Sequence, residues 1–141
     1  MFDELEKYKK TNHFFYSKND ELKDVCNAPN NGIGVYLVYA LKNGKIDLVY
    51  IGSSGKITND GKMKIRIGGM CDRLINGKQF GGARRKTWKD KVLADNIEAL
   101  DVYWYHTFDE LNNDIPNYVE GILLQRYYEL YGGLPQWNKE Y

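Results

Sequence analysis

Two β-prone runs joined by an Asn-Gly pair constrain the fold of this chain more than any other feature. The runs occupy residues 34–41 (GVYLVYAL) and 46–52 (IDLVYIG), with Lys42-Asn43-Gly44-Lys45 between them. β-branched and aromatic residues on both sides of Asn-Gly predict an antiparallel hairpin. The core is therefore predicted to contain an antiparallel sheet built on this hairpin.

The length of the turn decides which side chains share a face of the sheet. A two-residue turn pairs Tyr36 with Ile51, whereas a three-residue turn with a bulge pairs Tyr36 with Tyr50. In the second case one face carries six residues: Tyr36, Val38, Ala40, Ile46, Leu48 and Tyr50. A shift of one residue moves every side chain to the other face. Because Asn-Gly is compatible with both turns, the local sequence leaves the register open.

The rest of the chain adds one strand and several helices. We predict helices over 1–10, 70–76, 86–96 and 115–131, and a strand over 101–106. We expect a polar arm over 11–33, a flexible Gly- and Lys-rich insertion over 53–69, and a basic loop over 79–86. The order β-β-α-α-β-α predicts an α/β (α+β) fold, a small sandwich with a central three-stranded antiparallel sheet flanked by helices. Residues 1–32 would form the N-terminal helix and arm of one globular domain, and 33–141 its main body.

Length and composition exclude several classes of protein. A chain of 141 residues fits one domain. Mean hydropathy is −0.61, and no apolar run approaches the about 20 residues of a membrane helix, so we expect no membrane partner. The acidic N-terminus has no apolar signal segment. Cys26 and Cys71 are too few for a disulfide scaffold or a four-ligand zinc site, so these features predict a cytoplasmic protein.

The net charge of +1 conceals a polarised distribution. Residues 56–91 contain eleven Lys and Arg against three Asp, whereas residues 92–141 contain two Lys and Arg against nine Asp and Glu. A basic segment of this kind is a hint of polyanion binding. The alternative is a solvated basic face that the acidic last third neutralises, and charge alone leaves both open.

Two short motifs lie in the predicted hairpin, Gly34-Val35-Tyr36 and Tyr50-Ile51-Gly52. Together they resemble the signature of the GIY-YIG nuclease superfamily, with valine in the middle of the first motif. Further residues follow in the order of that family: Arg73 in the next helix, Glu120 in the last helix, and Pro135-Gln136-Trp137-Asn138 near the C-terminus. The resemblance extends over residues 33–139.

The resemblance implies a DNA endonuclease that depends on Mg²⁺ or Mn²⁺. Glu120 would hold a single metal ion, Arg73 would clamp the scissile phosphate, and Tyr36 and Tyr50 would flank the attacking water and the phosphate. Asn138 would support the site. A carboxylate suits a hard cation, and an arginine fork matches two phosphate oxygens. Because this arrangement needs both tyrosines on one face, it favours the bulged three-residue turn.

Two departures from the family leave parts of this assignment open. Many members have a histidine four residues after the arginine, and that slot is Gly77 here. The stretch from Tyr50 to Arg73 is also long, so Arg66 is a second candidate for the catalytic arginine. Each proposed residue has a structural alternative as well, for example a helix-capping role for Glu120.

The basic segment supplies the predicted contacts to nucleic-acid phosphates: Lys64, Arg66, Arg84, Arg85, Lys86 and Lys89. DNA is the expected partner, while RNA and a homodimer stay open. Two other functions compete with the endonuclease. One is a catalytically inactive nucleic-acid-binding domain of the same fold, which the glycine at position 77 suggests. The other is a protein-interaction module that uses the tyrosines of the acidic half: Tyr103, Tyr105, Tyr118, Tyr127, Tyr128 and Tyr131.

Overall fold

The computed structural model describes the whole chain, Met1–Tyr141. Along the sequence it contains a short 3-10 helix, eight strands and four α-helices. In order these are the 3-10 helix Asp3–Leu5, β1 Thr11–Tyr16, α1 Leu22–Val25, β2 Gly34–Lys42, β3 Lys45–Ser54, β4 Lys56–Ile57, β5 Met63–Lys64, α2 Gly69–Asn76, β6 Lys78–Gln79, β7 Gly82–Ala83, α3 Arg84–Ala94, β8 Ala99–His106 and α4 Pro116–Tyr131.

The central sheet has four antiparallel strands in the order β1-β8-β2-β3, so the prediction of three strands is wrong. The added strand, Thr11–Tyr16, lies in the segment that we assigned to a polar arm. Its Phe14 and Tyr16 point into the core, with 6% and 0% of their surface exposed. The alternation of these aromatic residues with more exposed neighbours is the period of an edge strand.

Residues 1–32 are part of the same packed unit. The helix predicted over 1–10 is wrong, because only Asp3–Leu5 forms a single 3-10 turn. Leu5 and Tyr8 are nevertheless buried in the core beneath α4. The insertion over 53–69 also contains regular structure, since β4 and β5 pair as a small hairpin there. The basic loop over 79–86 includes the β6–β7 pair and the first turn of α3.

The hairpin between β2 and β3 has a two-residue turn, so the predicted three-residue turn is wrong. Asn43 and Gly44 have φ angles of 52° and 73°, the left-handed pair that this turn requires. On both sides of them, Lys42 pairs with Lys45 and Leu41 with Ile46. Ile46 and Leu48 consequently lie on the opposite face from Tyr36.

A bulge within β3 restores the side-chain arrangement that the turn does not provide. Tyr39 pairs with Leu48 but Val38 pairs with Tyr50, which leaves Val49 without a direct partner. Beyond this extra residue Tyr36 lies opposite Gly52. Tyr36 and Tyr50 therefore share a face, as predicted, because a mid-strand bulge shifts the register by one residue.

Each face of the sheet covers its own core. One core contains buried side chains of α2 and α3, among them Trp88, packed against Tyr36 and Val38 of the sheet. The other lies beneath α4 and contains Val35, Leu37, Ile51 and the leucines of that helix. The helices predicted near 70–76, 86–96 and 115–131 and the strand near 101–106 are confirmed with small changes at their ends. None of the helices combines the length and apolar character that crossing a membrane requires.

Candidate functional site

Tyr36 and Tyr50 lie side by side on the face covered by α2 and α3. Their ring centroids are 6.2 Å apart, and Tyr36 is completely buried. The Tyr36 ring lies across Gly52, where an added Cβ would be 2.6 Å from Tyr36 Cζ. A Cβ at Gly34 would be 1.8 Å from the carbonyl oxygen of Tyr105. Gly52 is thus required by the close packing of the Tyr36 ring, and Gly34 by the close approach of the β8 backbone.

Glu120 reaches this region from α4, the helix on the opposite face of the sheet. Its carboxylate accepts a hydrogen bond from the hydroxyl of Ser53, near the end of β3. Ser53 also hydrogen-bonds the side chain of Asn117, at 3.0 Å. Together with Tyr50, Glu120 lines an open cleft of about 490 Å³. Burial raises the pKa of Glu120, and the Ser53 hydrogen bond and the charge of Arg73 act in the opposite direction.

Arg73 lies in the last turn of α2 and lines a second cleft of similar volume. Ser53 and Asn117 line the same cleft. Its Nε is buried and has no hydrogen-bond partner in the protein. The positive charge of Arg73 acts on the pKa of both Tyr50 and Glu120. Glu120 lines the first cleft and Ser53 lines the second, so their hydrogen bond connects residues of the two clefts. The structure therefore brings Tyr36, Tyr50, Arg73 and Glu120 together at the edge strand β3.

Arg66, the second candidate for the catalytic arginine, also lines the cleft that contains Arg73. It is exposed, and its Nε donates to the carboxylate of Asp72. Arg66 is not among the charges that act on the pKa of Tyr50 or Glu120. Of the two arginines, Arg73 is the one electrostatically linked to the tyrosine pair and the carboxylate.

Asn138 ties the C-terminal tail to the free edge of β3. Its Oδ1 accepts from the amide of Ile51 and its Nδ2 donates to the carbonyl of the same residue, both at 2.9 Å. Next to it, the amide of Trp137 donates to the carbonyl of Val49 at 2.8 Å. The tail thus satisfies backbone groups at the bulge and at the second motif, which an edge strand would otherwise leave open. Asn138 lines the same cleft as Glu120.

Arg84 does not lie on the surface, so its predicted contact with a nucleic-acid backbone is wrong. Only 1% of it is exposed, and its guanidinium lies 5.5 Å and 5.4 Å from the ring centres of Tyr36 and Tyr50. The guanidinium also explains the glycine at position 77. A Cβ on Gly77 would be 2.4 Å from Arg84 Nη1 and 2.3 Å from the carbonyl oxygen of Arg73. A side chain at position 77 is therefore excluded by Arg84 and by the carbonyl of Arg73.

The other basic residues predicted to contact nucleic acid are more accessible. Lys64, Arg85 and Lys86 are exposed. Lys89 is half-buried and approaches Glu21 at 3.3 Å. The guanidinium of Arg85 donates to the side chain of Asn76 at 2.6 Å. Lys64 lies beside Arg66 and Arg73 in the second cleft, which contains no acidic side chain.

The acidic last third of the chain does not neutralise the basic segment 56–91. Only Lys91 of that segment forms an ion pair with an acid from residues 92–141, and this acid is Asp95, one turn further along. Other acids of the last third pair with the N-terminal lysines, as Asp114 does with Lys7 at 2.6 Å. Few of the basic residues of segment 56–91 are therefore held in ion pairs by the acidic last third of the chain.

The sequence analysis missed Ser53 and Gln79. Ser53 directly follows the second motif, and a polar residue at that point of a buried strand was the available signal. Gln79 accepts hydrogen bonds from Arg84 Nε and Trp88 Nε1, at 2.9 and 2.8 Å. No local pattern marks Gln79, because its partners come from another element.

Buried polar atoms without partners are concentrated at this site. The protein has six such side-chain atoms, and three of them are Tyr36 Oη, Arg73 Nε and Gln79 Nε2. An unsatisfied buried donor or acceptor costs about 1–3 kcal/mol. Such a concentration beside two clefts is typical of a site that completes its hydrogen bonds with a ligand.

The side chains around Glu120 fit only a hard cation that retains most of its water. No group of three or more His, Cys, Asp or Glu side chains capable of holding a metal is present. The local donors are the Glu120 carboxylate and the oxygens of Ser53 and Asn117. Mg²⁺ is commonly held by one or two carboxylates together with water and substrate phosphate, so this donor set suits it.

No protein-family model, curated protein or solved structure matches this chain.

Proposed function

We propose that this protein is a metal-dependent endonuclease that hydrolyses phosphodiester bonds in DNA, as its resemblance to the GIY-YIG superfamily implies. The observation that carries the proposal is the meeting of four residues from separate segments, Tyr36, Tyr50, Arg73 and Glu120. Tyr50 and Glu120 line one cleft and Arg73 lines the other, Tyr36 packs beside Tyr50, and the charge of Arg73 acts on both Tyr50 and Glu120.

Arg73 is suited to bind the scissile phosphate. Arg73 lines the second cleft, where its guanidinium would donate charge-assisted hydrogen bonds to a bound phosphate. The same cleft contains Lys56, Lys64 and Arg66, which favour a polyanion. As negative charge develops on the phosphate in the transition state, a positioned guanidinium stabilises it.

The tyrosine pair is suited to orient the phosphate and the attacking water. Burial and the neighbouring Tyr36 raise the pKa of Tyr50, against the opposing charges of Arg84 and Arg73. Tyr50 therefore stays protonated at neutral pH and acts as a hydrogen-bond donor. Tyr50 lines the cleft that contains Glu120, whereas Tyr36 is buried behind it and packs against the Tyr50 ring. This supports an orienting role for the pair rather than proton abstraction by a tyrosinate.

Glu120 would hold the metal ion, with Ser53 and Asn117 as neighbouring oxygen donors. When bound, Mg²⁺ or Mn²⁺ would polarise a phosphate oxygen and lower the pKa of a bound water. The raised pKa of Glu120 reflects a carboxylate that burial destabilises in its charged form. A cation beside it would stabilise that form, which is consistent with a ligand role.

Plasmid nicking tests the proposal most directly. Supercoiled DNA is incubated with Mg²⁺ or Mn²⁺ and with wild-type protein, Glu120→Gln or Glu129→Gln. Glu129 is an exposed acid near the end of the same helix and serves as the matched control. We expect Glu120→Gln to lower the rate by about 1000-fold and Glu129→Gln to leave it unchanged. Equal cleavage by wild type and Glu120→Gln would contradict the proposal.

A catalytically inactive nucleic-acid-binding domain is the second candidate. It is favoured by the closed slot at Gly77, which leaves the site without a histidine. This alternative predicts salt-dependent binding of DNA with no cleavage in Mg²⁺ or Mn²⁺. The same assay with a single-stranded and a folded RNA distinguishes the two kinds of nucleic acid.

A further inference from the structure

Arg84 is a buried cation without an acidic partner. Only 1% of the residue is exposed, and no carboxylate forms an ion pair with it. Buried charges in proteins are usually paired, because removing an ion from water is strongly unfavourable. A hydrophobic side chain of similar length would fill the same space at lower cost. The charge at this position therefore calls for an explanation beyond packing.

The contacts of Arg84 lead directly to the candidate site. The guanidinium lies 5.4–5.7 Å from the ring centres of Tyr36, Tyr50 and Trp88. Its Nη1 donates to the carbonyl oxygen of Arg73 at 2.9 Å. One side chain thus contacts both tyrosines and the backbone of the arginine that is suited to bind phosphate. The faces of the rings attract the cation and partly replace the missing carboxylate.

The orientation of Arg84 is itself fixed by neighbouring groups. Its Nε donates to Gln79 Oε1, which also accepts from the indole of Trp88. Its backbone amide donates to the carbonyl of Gly77 at 3.0 Å. The absence of a side chain at Gly77 leaves the space that Nη1 occupies. The guanidinium is therefore held from two sides before any ligand binds.

The bond to Arg73 lies in the last turn of α2. Carbonyls in the last turn form the negative end of the helix dipole. The Arg73 carbonyl already accepts from the Gly77 amide at 2.9 Å, and the Arg84 guanidinium adds a second hydrogen bond that holds the Arg73 backbone in place and brings positive charge to the helix end. A neutral side chain could reproduce the packing but neither of these two effects.

We propose that Arg84 is a positioning residue, whose buried positive charge holds Arg73 and the tyrosine pair in the arrangement that the reaction requires. The proposal rests on the endonuclease function proposed above. It differs from a phosphate contact, because Arg84 itself would not touch the nucleic acid.

Two neighbouring arginines provide a matched test. Arg84→Met removes the buried charge but keeps an unbranched apolar chain, and Arg85→Met removes the exposed charge beside it. We expect Arg84→Met to lower kcat by about 100-fold without changing KM or the salt dependence of DNA binding. Arg85→Met, which removes a predicted phosphate contact, should instead raise KM and reduce the salt slope by about one. A reduced salt slope in Arg84→Met, with kcat unchanged, would overturn the proposal.

Chemical rescue separates charge from volume. Millimolar guanidinium, far below denaturing concentrations, is added to Arg84→Ala, with urea as a neutral molecule of the same shape. We expect guanidinium to raise the cleavage rate by about tenfold and urea to have no effect. Rescue by both molecules alike, or by neither in a folded protein, contradicts a role for the charge.

If Arg84→Ala does not fold, Arg84→Lys decides the same question. It keeps the charge but loses the second donor, so its rate should lie between those of the wild type and Arg84→Met. A folded lysine variant no more active than Arg84→Met would contradict the proposal.

A measurement without DNA distinguishes failure of this proposal from failure of the endonuclease proposal. Tyrosine ring signals are recorded by NMR and assigned with Tyr36→Phe and Tyr50→Phe. Arg84→Met should shift both signals, whereas Arg85→Met should shift neither. The wild type could show no cleavage while Arg84→Met still shifts both tyrosine signals. In that case only the endonuclease proposal fails. Unchanged signals in Arg84→Met overturn the positioning role whatever the activity.

Discussion

The two faces of the central sheet differ in what they bury. Beneath α4 the core is built mainly of aliphatic residues, such as Leu37, Ile51 and Leu123, with Tyr8 at its margin. Beneath α2 and α3 the core contains the Arg84 guanidinium among aromatic rings. The unpartnered atoms Tyr36 Oη and Arg73 Nε belong to this second side.

The core beneath α4 mainly stabilises the fold, whereas the core beneath α2 and α3 adjoins the candidate site. A close-packed aliphatic core contributes free energy of folding without needing specific partners. The aromatic side retains polar groups that lower stability unless a ligand completes their hydrogen bonds. Glu120 belongs to α4, the helix that covers the aliphatic core, and it lines a cleft beside Tyr50 of β3. The two sides of the sheet therefore meet at the edge strand β3.

The largest effect on stability is expected on the aliphatic side. Leu123→Ala removes a fully buried side chain and should lower the free energy of unfolding by about 3 kcal/mol. The rate of cleavage should not change at temperatures where the variant is folded. Denaturant unfolding measures the loss, with Leu130→Ala as control, because Leu130 is 60% exposed on the same helix. A loss below about 1 kcal/mol for Leu123→Ala would contradict the view that the aliphatic core beneath α4 mainly stabilises the fold.

Gly52→Ala tests the packing of the tyrosine pair. The new Cβ would be 2.6 Å from the Tyr36 ring, so the ring must move. We expect a loss of about 1–3 kcal/mol, together with a lower cleavage rate. Gly133→Ala is the control, since nothing lies within 4 Å of a Cβ there. Wild-type stability and activity in Gly52→Ala would show that Tyr36 is not constrained by this glycine.

Asn138→Ala tests the attachment of the tail to the edge strand. It removes both hydrogen bonds to Ile51 and should lower the free energy of unfolding by about 1–2 kcal/mol. Hydrogen exchange should also become faster at the Ile51 amide, next to Tyr50. The exposed Gln136 provides the control variant Gln136→Ala, which should change neither quantity. Unchanged protection of Ile51 in Asn138→Ala would contradict the proposed attachment.

The smallest effects are opposite pH dependences of two carboxylates. Hydrogen bonds from Lys7 and Tyr8 lower the pKa of Asp114. Its contribution to stability is therefore present at neutral pH and is lost as the pH falls through the lowered pKa. Burial raises the pKa of Glu120, so stability instead falls as the pH rises through that pKa.

Unfolding at two pH values measures this contrast. Asp114→Asn should lower the free energy of unfolding by about 1 kcal/mol at neutral pH, and this loss should shrink as the pH falls through the lowered pKa of Asp114. Glu120→Gln should raise stability at neutral pH, by less than about 1 kcal/mol, although it removes activity. A destabilised Glu120→Gln at neutral pH would show that this carboxylate stabilises the fold.

Local patterns predicted the elements but not every strand. The hairpin and α4 follow from clear periodicity and Gly or Asn turn signals. The strand Thr11–Tyr16 was missed, because its polar surroundings resemble a loop until β8 pairs with it. The run of aromatic residues His13-Phe14-Phe15-Tyr16, which is typical of a strand, was the available signal.

The sequence predicted that Tyr36 and Tyr50 share a face of the sheet, but it attributed this to the wrong feature of the backbone. The shared face of Tyr36 and Tyr50 was attributed to a longer turn, whereas a bulge at Val49 produces it. The backbone of Val49 is held by Trp137, far along the chain. No residue near the turn could have indicated this contact.

By itself, the sequence determined the residues of the two motifs, the main helices and the uneven distribution of charge. Only the tertiary structure decided the register beyond the bulge, the burial of Arg84 and the approach of Glu120 to the tyrosines from the other side of the sheet. The physical reason is that propensity and periodicity act between near neighbours. Burial and register depend on contacts between segments that meet only when the chain is folded.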